Sequence, residues 1–423
     1  MKIILSHPTG NANVRAVLSG LAENNMLHEF YTTIATFPGD MWSKLGASRS
    51  VADLKRREYE SALAHKTRVW PAREVARLFA TKARLNRLVR HEQGSFCTDS
   101  VYKSLDKRVA SRLPYFPNKQ VNAVYAYEDC ALETFKTAKK LGITCVYDLP
   151  IAYWQTMREL MSQEAERLPK WKKTMRAEIS DSNEKLDRKT RELELADIVM
   201  TPGKFVADSL PETAKEKKIV IVPFGSPLPG PAVSNKSADH NRPLRVLFAG
   251  SLGQRKGLGD LFEAIKLLHT DQIELVVLGS LLDDLSFYQK QLPGFTYEPT
   301  RPHAQVLKLM ASCDVFCLPS IIEGRALVMQ EAMSQGLPLI ITPNTGGEDL
   351  IIEGETGFLV PIKAPQIIAE KLHWFLENRQ AIPWMSQQAR QHAATYSWRK
   401  YANTIASELK NYIQVADPKP TTR

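Results

Sequence analysis

The sequence predicts an α/β protein made of two doubly wound parallel-sheet domains. Three observations carry that prediction. The chain has 423 residues, more than one ordinary core takes in and enough for two domains of about 200 residues. Short apolar runs alternate with helix-forming stretches over residues 1–222 and again over 243–395, the pattern of buried parallel strands covered by helices. Between the two series stand Pro223-Phe-Gly-Ser-Pro-Leu-Pro-Gly-Pro231 and a polar run from Ser234 to Arg242, which read as a linker over 223–242.

In the first domain Ile3–Leu5, Val121–Tyr127, Ile143–Tyr147, Asp197–Met200 and Ile219–Val222 read as buried strands. Residues 40–117 show no strand and many helix formers, and read as a helical insertion. Tyr153 to Leu195 reads as helical and heavily charged. In the second domain the strands are Arg245–Ala249, Ile273–Leu278, Val315–Leu318, Pro338–Ile341 and Phe358–Val360. Residues 396–416 read as a C-terminal helix, and 417–423 as a disordered polar tail. The halves therefore predict two Rossmann-like domains with a cleft between them.

Hydrophobic residues make up 43% of the chain and charged residues 24%, the balance of a globular protein rather than a disordered one. No run approaches 18 apolar residues, so no membrane-crossing helix is expected. The start, Met1-Lys-Ile-Ile-Leu-Ser-His7, has too short an apolar run for a signal peptide and reads as the first strand. Cys97, Cys130, Cys145, Cys313 and Cys317 show no zinc-finger spacing, and Cys313 and Cys317 fall at a buried strand. They read as core thiols, which predicts a reducing cytoplasm and no structural metal.

The net charge is +10, and the basic residues cluster. Between Lys55 and Arg90 stand eleven Lys or Arg against Glu58, Glu60 and Glu74. Two readings stand side by side: a solvated helical face, or a surface attracted to anionic lipid headgroups or an anionic acceptor. Trp70, Leu78, Phe79, Leu85 and Leu88, interleaved at helical spacing, fit an interfacial face and core packing equally well. No nucleic-acid partner is expected.

The chemistry concentrates in Ser320-Ile-Ile-Glu-Gly-Arg-Ala-Leu-Val-Met-Gln-Glu331. It follows the short apolar segment Asp314 to Pro319 and leads into a helix over Ala326 to Ser334. Glu323 falls in the strand-to-helix turn, and Glu331 about two turns into the helix. A helix start after a parallel strand offers unpaired N–H groups and partial positive charge to an anion such as a diphosphate. Two flanking carboxylates can accept hydrogen bonds from hydroxyls, so the stretch describes a nucleotide-sugar site. Val246 to Leu261 is a second strand, Gly-rich loop and helix. There Gly250 and Gly253 let the backbone approach a ligand, and Arg255 and Lys256 bring two cations to meet the charge on a departing diphosphate. On the other domain Ser6-His-Pro-Thr-Gly-Asn-Ala-Asn13 follows the first strand, with Gly10 placed to close over the diphosphate. Tyr147, Asp148 and Tyr153 end a strand at the cleft and are candidate acceptor contacts.

The Glu323-x7-Glu331 spacing followed by Ala332-Met-Ser-Gln-Gly-Leu-Pro338 resembles the family 4 retaining glycosyltransferases of GT-B fold, and Lys256-Gly257 matches that family's Lys-Gly element. The resemblance covers about Leu244 to Pro361, and the first half through its alternation and looser loops. By resemblance, Glu323 binds hydroxyls of the transferred sugar, Glu331 binds the ribose, and the backbone of Gly324, Arg325, Ala326 and Leu327 faces sugar and phosphate. Gly250, Ser251 and Gly253 complete the donor side. Ser251 stands where the family usually carries an Arg, which moves the phosphate role to Arg255. Arg325 stands where many members have an aromatic or small residue. Pro343 to Asp349 and Gly354 to Val360 are further family-like stretches, read as structural. The helix over 396–416 is expected to cross back to the first domain, and residues 40–117 to lie on the acceptor side.

The resemblance implies a retaining hexosyltransferase that needs neither cofactor nor metal, takes a nucleotide-diphosphate sugar (UDP by default) as co-substrate, and glycosylates a saccharide or lipid-linked acceptor in envelope polysaccharide or glycolipid synthesis. A cytoplasmic enzyme, peripheral on the inner membrane face, fits the basic stretch. Rival readings are a nucleotide-sugar epimerase or phosphorylase of the same fold, and a non-catalytic nucleotide-sugar or membrane binder. Neither acid-base pairs around a sugar nor a Schiff-base Lys is visible. There is no Walker loop, no G-x-S-x-G and no H-E-x-x-H, and Asp283-Asp284 reads as a helix cap or solvated loop rather than a metal site.

Overall fold

The computed structural model describes residues 1–39, 57–117, 120–175, 180–227 and 242–416. Two parallel sheets organise them. The first contains β1 (Ile3–Ser6), β2 (Leu27–Thr32), β3 (Thr67–Val69), β4 (Ala123–Tyr127), β5 (Thr144–Asp148), β6 (Ile198–Thr201) and β7 (Lys218–Ile221), in the order β3-β2-β1-β4-β5-β6-β7. The second contains β8 (Leu244–Ala249), β9 (Ile273–Gly279), β10 (Thr296–Pro299), β11 (Val315–Leu318), β12 (Leu339–Ile341) and β13 (Gly357–Leu359), in the order β10-β9-β8-β11-β12-β13. In each sheet the strand order reverses beside the first strand of the domain, at β1/β4 and at β8/β11. Such switch points are where open α/β sheets hold ligands beyond their carboxyl ends. This is the GT-B architecture, two Rossmann-like domains facing each other.

Parallel strands covered on both faces must be apolar throughout, and they are: β1, β4, β6, β11 and β12 are buried along their whole length. Three strands depart from the sequence reading. β2 carries His28 and Glu29, half-buried, because β3, which partners it on the edge side, has only three residues. β3 itself is an edge strand with Arg68 and Val69 exposed, so residues 40–117 are not purely helical. β10 is likewise an edge, half-buried at Thr296, Tyr297 and Glu298. Edge strands need no continuous apolar run, which is why pattern reading passes over them. Residues 40–56 of the insertion, 228–241 of the linker and the tail 417–423 lie outside the described residues.

Helix α1 (Ala12–Glu23) follows β1, and α2 (Ala72–Lys82) follows β3. Between β5 and β6 the chain makes an excursion. Helix α3 (Trp154–Arg167) and a 3-10 turn (Pro169–Met175) leave the first sheet and pack into the core of the second, with Met161, Ala165, Trp171 and Met175 buried there. The Trp171 ring meets Phe262, Phe287 and Tyr288 edge-on at 5.8, 5.1 and 5.9 Å. Helix α4 (Asn183–Leu195) then returns to the first sheet. In the second domain α5 (Leu258–Leu268) follows β8, and α6 (Leu327–Ser334) follows β11. The last helix, α7 (Trp398–Ala416), packs along α1, where Tyr401, Ala402, Ile405, Leu409 and Ile413 join Val14, Val17, Leu18 and Leu21. All five cysteines are free and buried, and no helix among the described residues is long and apolar enough to cross a membrane.

Candidate functional site

A cavity of about 670 Å³ opens between the two carboxyl edges. Gly250, Ser251 and Lys256 line it from the β8 loop, and Glu323, Arg325, Ala326 and Leu327 from the turn into α6. Asn11, Asn13 and Pro150 line it from the first domain, so both domains contribute.

The charged centre is a triad. Lys256 Nζ lies 2.6 Å and Arg255 Nη1 2.9 Å from the same carboxylate oxygen, Glu323 Oε1. Lys256 reaches it by laying its stem across Gly250. The Gly250 φ of +152° is one that other residues rarely adopt, and a Cβ there would come within 2.5 Å of Lys256 Cδ and push the lysine aside, so glycine suits the position. Burial would push the Glu323 carboxyl up, but Lys256 and Arg255 together outweigh it and hold it below its ordinary value. Arg255 sits behind Lys256. Its Nη1 also donates to Ile322 O at 3.1 Å, and its own carbonyl accepts from Ile321 N and Ile322 N. It braces the Glu323 turn, whereas of the two Lys256 lines the cavity. Gly253 is likewise one layer back, packed against Leu282 and the Thr174 carbonyl.

Helix α6 begins at Leu327 with Ala326 as its cap residue, which offers no side-chain acceptor, and Leu327 and Val328 line the cavity. Its first amides and dipole therefore face the open space, as an anion site requires. Glu331 is the fifth residue of α6, one turn in rather than two. Its Oε1 lies 3.0 Å from His303 Nε2. His303 starts the helix that follows Thr300 and Arg301, both of which line the cavity.

Arg325 is buried, its charge matched locally. Nη1 donates to Asp349 Oδ1 at 2.7 Å and to Gly346 O at 2.8 Å, Nη2 to Asp349 Oδ2 at 3.1 Å, and Nε to Gln330 Oε1 at 3.1 Å. Gln330 Nε2 in turn donates to Phe224 O and Ser226 Oγ, where the chain leaves the first domain. Gly324 sits against that domain too, and a Cβ there would run into the Pro150 carbonyl.

Three assignments from the sequence change on the acceptor side. The Gly10 N–H does not point at the cavity: with Thr9 N it donates to His7 Nδ1, at 2.8 and 3.0 Å. Burial, with Arg57 adding to it, lowers the His7 pKa to about 3, so the imidazole is a neutral acceptor. Asn11 and Asn13 are the residues of that loop that line the cavity. Asp148 is 3% exposed and accepts from Tyr125 OH at 2.6 Å, so it belongs to the core. Tyr153 is also buried, its hydroxyl donating to Thr190 Oγ1 at 3.2 Å. Tyr153 is covered by α4, whereas Asp148, the last residue of β5, faces the other side of the sheet among Tyr125, Tyr127 and Tyr401; a sequence pattern reveals neither. Phe224, Ser280, Thr300 and Arg301 line the cavity without a signal in the sequence. Asp283 pairs with Lys173, and Asp284 stands at the N-cap position of the helix Leu285–Gln291, where its side chain makes no capping hydrogen bond.

Of the basic stretch, Lys55 and Arg56 lie outside the described residues. Arg57 is buried against Glu74, and Arg77 pairs with the same Glu74. Arg73, Lys82, Arg84, Arg87 and Arg90 are exposed, and among them Val75 and Phe79 stand 52% and 69% exposed on α2.

Comparison with known proteins places these features. Residues 231–394 match the family model described as glycosyl transferases group 1. The D-inositol 3-phosphate glycosyltransferase of Corynebacterium urealyticum is 24% identical over 261 residues, 58% of each chain. Over its first three curated relatives, the matched part spans only 27% to 58% of their own lengths. Among solved structures, sucrose-phosphate synthase from Thermosynechococcus elongatus superposes with a TM-score of 0.63 at 17% identity, covering 98% of this chain and all of that one. HepE from Anabaena, solved in complex with UDP, gives 0.61 at 14% identity, covering 97% and all of it. These two likenesses concern the fold.

Proposed function

We propose, from the premise that the chain belongs to the group 1 glycosyltransferases, that it moves a sugar from a nucleotide-diphosphate sugar to an acceptor hydroxyl with retention of configuration and without a catalytic metal. The observation that carries the reading is the convergence of Lys256, Glu323 and the open amides of α6 on one cavity between the domains. Lys256 and the helix terminus meet the diphosphate, Glu323 takes sugar hydroxyls, and Glu331 takes the ribose hydroxyls once His303 turns aside.

As the bond from the anomeric carbon to the phosphate oxygen breaks, its electrons stay with the diphosphate. That phosphate oxygen then accepts the proton of the acceptor hydroxyl, whose oxygen bonds to the anomeric carbon from the same face. No side chain is alkylated. The protein's part is to stabilise growing phosphate charge and to exclude water as the domains close. UDP is the carrier nucleotide we expect, supported by the structural neighbour solved with UDP. The acceptor we propose is a saccharide or lipid-linked hydroxyl, presented at an anionic membrane surface on which α2 rests through Val75 and Phe79, with the surrounding cations at the headgroups.

The test is a thermal-shift titration with UDP-, GDP- and ADP-sugars, without added metal, on wild type and on Glu331→Ala. Removing a charged acceptor of ribose hydroxyls costs about 1.5–3 kcal/mol, so the variant should bind about ten- to a hundredfold more weakly. Stabilisation by one nucleotide class, lost in the variant, supports the site. Folded protein that responds to none of them overturns it. Retention is then checked by the anomeric configuration of the product in NMR spectra.

A further inference from the structure

The β5–β6 excursion ends on the loop that carries Lys256. Gln254, fully buried, opens the single 3-10 turn Gln254–Lys256. All of its polar groups are engaged, the carbonyl accepting from Gly257 N at 2.8 Å. Its amide N–H donates to Thr174 Oγ1 at 3.2 Å. Its Nε2 donates to Glu164 Oε2 at 2.9 Å and to Asp260 Oδ2 at 2.7 Å. Its Oε1 accepts from Gly259 N, at the start of α5, at 2.8 Å. Arg167 ties the two carboxylates together, bidentate to Glu164 at 2.9 and 2.7 Å and at 2.8 Å from Asp260 Oδ2. Glu164 and Thr174 come from the excursion, which is continuous with the first domain. Gln254 and Asp260 belong to the second.

Burying an amide and two carboxylates is costly unless every group is matched, and apolar residues of the same volume would pack as well or better. A fully matched polar cluster fixes orientation as apolar packing does not. We propose that Glu164, Arg167 and Gln254 are positioning residues: through them the excursion holds the Gln254–Lys256 turn so that the Lys256 ammonium stands in the cavity at the diphosphate. The inference rests on the phosphate role proposed for Lys256. It adds that the phosphate-binding loop is oriented by a segment of the opposite domain's chain.

The test measures binding of UDP and of UMP by calorimetry, with the guanosine and adenosine pairs used if the uridine pair does not bind. Wild type, Glu164→Gln, Gln254→Met and Lys256→Met are compared, each checked for folding by circular dichroism and melting. A misplaced loop should weaken the diphosphate about tenfold, the lower end of the cost of a displaced binding group, with the monophosphate changed less than about twofold. A general loss of structure would weaken both alike. If Gln254→Met does not fold, Glu164→Gln decides the matter. Should Lys256→Met lose the diphosphate preference while folded Glu164→Gln keeps it, the positioning role is overturned and the phosphate assignment survives. Should Lys256→Met keep the preference, the phosphate assignment fails and this inference falls with it.

Discussion

Replacing Lys256 by Met keeps the stem that lies over Gly250 and removes only the ammonium. A unit charge about 4 Å from phosphate oxygens is worth about 4 kcal/mol at an effective dielectric near 20. That figure is an upper value here, since Glu323 Oε1, 2.6 Å from Nζ, already holds part of the lysine's field. Arg255, 2.9 Å from the same oxygen, stays to neutralise Glu323. The net loss should then be about 3 kcal/mol, or roughly a hundred- to a thousandfold in turnover, comparable to the loss of one oxyanion donor. Because charge on the leaving diphosphate grows as the bond breaks, kcat should fall more than KM rises. A steady-state assay of nucleotide release, with a separate donor titration, measures both. A kcat within tenfold of wild type in a folded variant would refute the assignment of Lys256, and a rise in KM alone would make it a ground-state binding residue.

Asp148 should give the chain a distinctive response to pH. Burial, opposed by the hydrogen bond from Tyr125 and the nearby Tyr127 hydroxyl, pushes its pKa up from 3.8 to about 7. The folded state therefore holds a proton that the unfolded chain releases: the resulting stabilisation is complete below about pH 4 and is lost progressively as pH rises to about 7. The full difference is about 4 kcal/mol. Asp148→Asn should melt higher than wild type at pH 8 and not at pH 4, and an equal difference at both values in calorimetric scans would count against this account. Asp349→Asn removes the carboxylate paired with the buried Arg325 guanidinium; because that carboxylate is 37% exposed, the loss should be about 1–3 kcal/mol in denaturant unfolding, and a loss below about 0.5 kcal/mol would show that Gly346 O and Gln330 suffice. At the surface, Val75→Glu with Phe79→Glu should abolish sedimentation with vesicles rich in phosphatidylglycerol, and salt should release the wild-type protein. Binding indifferent to both salt and these substitutions would remove the membrane from the proposal.

What the sequence disclosed and what it hid divide along the distance between interacting residues. Central strands such as β4 and β11 are apolar along their whole length because both faces are covered, so five or six consecutive residues reveal them. Glu323, Lys256 and the start of α6 were legible for a similar reason, since each belongs to a strand-turn-helix unit whose geometry follows from a dozen neighbouring residues. That Lys256 and Glu323 form one ion pair was not written in either unit, for they are 67 positions apart and meet only because β8 and β11 are neighbours. The same holds for Arg325. As an isolated residue it suggests a change in sugar selectivity, yet Asp349, 24 positions on, takes its charge. Glu164 looked like one acid among many on a charged helix. It is fully buried, and its partner Gln254 stands 90 positions away across the domain boundary. Asp148 shows the converse error: its place at a strand end suggested the cleft, but its side chain turns in beside Tyr125, Tyr127 and Tyr401, and burial made it core. A polar residue's role is thus set by what reaches it from elsewhere in the chain. Where that partner is local the role can be read from sequence, and where it arrives from another element the residue type narrows the chemistry without locating it.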